Sequence, residues 1–237
     1  MLPAIPQDPA YHAFADARPL FGVENFLNVS SNVFFIAAGL MGLQSVLVSR
    51  SGGLRSDHAV LRQMYSLLFI GLIITGLGSG WYHLLPDNVT LMWDRLPMTL
   101  SFMAFFSIVI TERAPVSWGR KWGKRMLWAL IVAGFCSVFY WAYTEDQQQG
   151  DLRLYVLVQF LPALLIPFIL LLYPARYPGD RYFWFLIACN VLSKLFEHWD
   201  SQIYSLTDAV VSGHSLKHVV AALGGYFMYK LWRMKGT

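Results

Sequence analysis

Seven apolar stretches recur along this 237-residue chain, each close to the roughly 20 residues a helix needs to cross a bilayer. That recurrence leaves few folds open. Inside hydrocarbon every backbone N–H and C=O must find its partner within the segment, so such stretches form helices. The reading is an all-α membrane protein, a seven-transmembrane-helix bundle forming one domain over residues 1–237. Residues 1–24 are a polar N-terminal segment. The spans are expected near residues 26–48, 64–85, 91–110, 126–143, 154–173, 182–199 and 210–232. Composition agrees: 56% of residues are hydrophobic and 14% charged, where a soluble domain carries about 25% charged residues.

Polar groups inside such spans are costly, so they carry the functional signal. Ser79 and His83 close the second span four residues apart, which on a helix puts both on one face. Pro86, Asp87 and Asn88 then make a turn. Asp94 follows about one turn into the third span, where Pro97 cannot donate to the carbonyl of Trp93 and a local kink is expected. Taken alone, the stretch fits equally a helix-bonded Ser, a headgroup-level His and a capping Asp. A second pair, His214 and His218, lies one helical turn apart in the last span. That spacing lets two imidazoles hold one metal. Three nitrogens with a vacant fourth position are the arrangement of a catalytic zinc site.

The basic residues set the topology. Thirteen of the 18 Lys and Arg fall on one side of the expected bundle, in loops at residues 50–62, 112–125 and 174–181 and at the C-terminal end. The positive-inside rule then puts the N-terminus outside and the C-terminus in the cytoplasm. It also brings His83, Asp94, His214 and His218 to one outer end. Asn28, Ser30, Ser31 and Asn32 open the first span at that same end, more polar residues than one helix cap needs; Asn28, Ser31 and Asn32 are read as supporting the site. Glu197, His198 and Asp200 also lie there. They rival the metal site but lack a second His at helical spacing, so Glu197 and Asp200 are read as supporting or interfacial residues.

Other features are plainer. Gly71, Gly76, Gly78 and Gly80 sit in a helix with no preceding strand; they allow close helix approach and form no nucleotide loop. Cys136 and Cys189 are read as buried free thiols, and His12 and His58 as solvated loop histidines. No cleaved signal peptide is expected, and no nucleic-acid partner.

At Asn28–Asn32, Ser79 with His83 and Asp94 through Met98, and His214 through His218, the sequence resembles the alkaline ceramidase family. That family belongs to the seven-helix membrane hydrolases that include the adiponectin receptors. The resemblance implies zinc ligands at His83, His214 and His218, with Ser79 and Asp94 holding the attacking water. Eukaryotic members bind calcium through an acidic N-terminal cluster. Here Asp16, Glu24 and Asn25 have a different spacing, which argues against calcium. Residues 11–18 and 197–200 look more like the bacterial branch, implying a multi-pass protein of the bacterial inner membrane. The implied function is a ceramidase-like, zinc-dependent hydrolase of ceramide or a related lipid amide. Asp94 would carry the proton from water to the leaving amine, and Ser79 would orient the water or the oxyanion. Two other classes stay open: a receptor or interaction protein with a structural zinc closed by Asp94, and a proton-coupled transporter relaying through Asp94, His83 and Glu197.

Overall fold

The computed structural model describes residues 3–48 and 58–235. The described residues are helical apart from the N-terminal segment and short connections. The helices are α1 (Phe26–Ser30), α2 (Val33–Val48), α3 (His58–Leu84), α4 (Asn88–Arg113), α5 (Val116–Asp146), α6 (Arg153–Leu172), α7 (Arg181–His198), α8 (Asp200–Leu206) and α9 (Gly213–Lys235). Among the described residues five spans are long and apolar enough to cross a membrane: Phe26–Val48, Ala59–Leu84, Asn88–Arg113, Val116–Asp146 and Arg153–Leu172. The chain is a membrane protein. The stretches expected as sixth and seventh spans form the helices α7 and α9, but these fall outside that apolar set. Arg181, Lys194 and Glu197 in α7, and Lys217, Lys230, Arg233 and Lys235 in α9, account for the difference.

α4 lies at the centre. In its most apolar window 78% of residues are buried, against 22% for α6, whose Leu157, Phe160, Leu164 and Leu171 face outward. α4 packs on α3, α5 and α6, while α9 packs on α7 and α2, and α2 on α3. Glycines decide the closest of these approaches. A Cβ on Gly78 would collide with the Trp93 carbonyl oxygen, the same oxygen that Pro97 leaves without its usual donor. α4 runs unbroken through Pro97. Gly71 and Gly76 likewise sit against neighbouring helices, whereas Gly80 has nothing near it and plays no such part.

Several expectations change. The first span breaks at Ser31 and Asn32 into α1 and α2. The basic stretch at 112–125 is not a loop: Arg120, Lys121, Lys124 and Arg125 lie on the opening turns of α5. Lys and Arg have good helix propensity, so charge alone does not mark a loop. Arg62 and the backbone of His58 belong to α3, while Arg50, Arg55 and the His58 side chain lie outside the described residues. Cys189 is buried, but Cys136 is exposed on α5. At the end away from the histidines, Glu112 accepts from Lys235 at 2.6 Å and from Tyr65 at 2.9 Å, a buried ion pair tying α3, α4 and α9 together.

Candidate metal centre

His83 comes from the last turn of α3, and His214 and His218 from the first turns of α9. All three are buried, with 1%, 6% and 4% of their surface exposed. One ring nitrogen of each lies within 4.8 Å of the others. His83 Nε2 and His214 Nε2 are 3.3 Å apart. Two nitrogens on one tetrahedral zinc, at Zn–N about 2.0–2.1 Å, lie about 3.3 Å apart. The donor set therefore fits a zinc ion or a similar divalent metal. Among the described residues this is the one group of its kind. Asp94 is not part of it.

The surroundings orient these rings. Ser31 Oγ sits 2.8 Å from His218 Nδ1, which leaves Nε2 for a metal. Asn28, fully buried, accepts from Ser215 at 2.7 Å and donates to the Asp16 carbonyl. Asn32 donates to the Asn28 carbonyl at 2.7 Å, and its side-chain oxygen Oδ1 has no partner. Asp200 accepts from the His214 backbone N–H at 2.7 Å, holding the first turn of α9 where Gly213 packs against Phe196 and Asp200. Glu197 is occupied by two lysines, Lys194 at 2.7 Å and Lys217 at 2.5 Å. His198 meets the Trp199 ring edge-on and is not part of the three-histidine group. Ser79 and Asp94 line one cavity close to each other, and Asp94 Oδ1 is buried without a partner.

The N-terminal segment is a strap across this end. Ile5 accepts from Leu152 N at the start of α6, and Gln7 accepts from Arg95 at 2.7 Å. His12 bonds Tyr82 and Asn88, each at 3.0 Å, so it is a tether and not a solvated histidine. Ala15 donates to Asp200, and Arg18 reaches the Val210 carbonyl. Phe14 lies edge-on against His83 and His214, 4.7 Å from each ring. The sequence did not reveal this cover; an aromatic in a polar segment was its sole signal. The Arg18 guanidinium takes both oxygens of Asp16 and holds that carboxyl below its ordinary range. Glu24 and Asn25 do not join it: Asn25 bonds the His83 carbonyl.

Below the cluster, a cavity of about 440 Å³ runs down between the helices. Ser79, Asp94, Arg95, Lys217 and His218 line its polar end, and Leu72, Phe102, Phe105, Ile166 and Met228 its apolar end. Both α6 and α7 line it, although they pack against other helices and not substantially against each other.

A helical membrane bundle with a buried three-histidine cluster beside a largely apolar cavity defines a class: a membrane protein with a candidate metal site next to an apolar pocket. The protein-family model described as Ceramidase matches residues 22–175, and the chain belongs to that family, of hydrolases acting on amide bonds. The matched stretch holds Ser79, His83 and Asp94; His214 and His218 lie beyond it and join them through the fold. A comparison with curated proteins finds no match to this chain.

Proposed function

We propose that this protein is a zinc-dependent, ceramidase-like hydrolase of the bacterial branch, cleaving the N-acyl bond of ceramide or a related lipid amide within the membrane. The observation that carries this reading is the spacing of three buried imidazoles, with His218 and an Asp94 carboxylate that has an unpartnered oxygen lining the same largely apolar cavity. His83, His214 and His218 would hold the metal. Zinc on three neutral imidazoles acidifies water toward a pKa of about 7 and polarises a carbonyl. Asp94 takes the attacking water's proton on Oδ1 and delivers it to the leaving nitrogen as the C–N bond breaks and the new C–O bond forms. The products are a fatty acid and a free amine. Ser79, lining the same cavity, orients the water or the oxyanion. The acyl chain runs into the apolar cavity, and the loose α6–α7 boundary gives it a path from the bilayer.

In this reading α7 and α9 also cross the membrane. All seven long helices then alternate in direction, with one domain, the N-terminus outside and the C-terminus cytoplasmic. The three-nitrogen group without Asp94 favours an open site over a closed structural one. The test is lipid mass spectrometry of purified protein given N-palmitoylsphingosine. Release of palmitate and sphingosine, abolished by stripping the metal and restored by zinc, is the expected result. Zinc-bound protein that releases nothing from any lipid amide contradicts hydrolysis and returns the receptor reading. Turnover that survives metal removal contradicts the metal's role.

A further inference from the structure

Arg95 is a buried cation that makes no salt bridge, although the Asp94 charge lies in the same cavity. It is 6% exposed, and its guanidinium carbon lies 4.2 Å from the Trp141 ring and 4.8 Å from that of Tyr155. One terminal nitrogen donates to Gln7, a neutral amide, and the other, Nη1, has no partner. No carboxylate of the described residues pairs with it. Glu197 is already held by Lys194 and Lys217. Arg95 lines the same cavity as Ser79, Asp94 and His218. The cavity's charged side chains are three cations (Arg95, Lys194 and Lys217) and two anions (Asp94 and Glu197). The rings and Gln7 offset part of the cost of burying this charge, and a planar guanidinium with a free edge is matched to carboxylate, phosphate or sulfonate oxygens.

We propose that Arg95 receives an anionic group carried by the substrate close to the scissile amide, so that the preferred substrate is an acidic lipid amide and not a neutral one. The inference rests on the hydrolase reading for the word substrate, but the binding it describes does not. The aromatic walls fix the guanidinium plane, and Gln7 occupies one edge, leaving Nη1 for the ligand.

The test compares N-palmitoylsphingosine with its 1-phosphate, which shares the amide and adds one anion. The full-length protein should show a kcat/KM ratio of at least ten in favour of the phosphate. The Arg95→Met variant, which keeps an apolar side chain among the rings, should bring that ratio close to one. A hydrogen bond to a charged group is worth about 10- to 100-fold. Binding to metal-stripped protein, where nothing is turned over, gives a second readout. Tighter binding of the phosphate lost in Arg95→Met sustains the inference even if no amide is cleaved, which would defeat the hydrolase reading alone. Equal handling of both lipids by the wild-type protein overturns the inference while leaving hydrolysis intact, whatever the variant's stability. Palmitate bound in an Arg95-dependent way, with no preference for the phosphate, would assign Arg95 to the product's carboxylate and also overturn it.

Discussion

Asp94 is the residue on which the proposed chemistry turns. Asn keeps its shape but cannot accept a proton. Asp94→Asn should therefore keep its zinc while losing about 10²- to 10⁴-fold in turnover. Zinc lost in step with activity would make Asp94 a ligand. Ser31 tests the support of the rings: Ser31→Ala removes the partner of His218 Nδ1 and should weaken zinc affinity about 10- to 100-fold, read by chelator competition. The histidine pair and the Ser79–His83 face were legible because helical spacing is written locally in sequence. Arg95, Phe14 and His12 were not. Their partners lie far along the chain, with His12 bonded to Asn88 and Arg95 to Gln7, and no local pattern announces such a contact.

Among the elements, the N-terminal strap and the α3–α4 contact matter most. Phe14 shields two of the three rings, so Phe14→Ala should speed zinc loss to a chelator without changing the fold. An unchanged rate would make the cover incidental. The Asp16–Arg18 pair adds a sign that can be checked. Its carboxyl is held below the ordinary aspartate value of 3.8, so its contribution is complete above that value and fades as pH falls through the lower, folded one. Proteolysis of the strap should therefore be the same at pH 7 and pH 5 and rise only in stronger acid. Gly78→Val would force α3 from the Trp93 carbonyl and should destabilise the protein by about 1–3 kcal/mol, seen as a lower Tm. Helix existence was readable from apolar length. The strap was not, because its order comes from tertiary hydrogen bonds and not from periodicity. The reach of α5 through a basic stretch was missed for a related reason: the charges were counted as topology signals although the same residues favour helix.

At the scale of the whole molecule, α7 and α9 explain both a success and a limit of the sequence. Their positions were legible, yet their charges keep them out of the strongly apolar set. Glu197 and Lys217 are largely buried and line the cavity, with Lys194 reaching it from a more exposed position. A reporter fused after Thr237 should be active only in the cytoplasm; activity only outside would invert the bundle and move the site to the other leaflet. The central claim is that one zinc on three histidines drives amide hydrolysis. Its most direct test measures zinc content and lipid-amide turnover on one preparation each of the wild-type protein and the His214→Ala, His218→Ala double variant. The account predicts one zinc per chain with turnover in the first, and neither in the second. Full zinc in the double variant, or turnover without zinc, would contradict it.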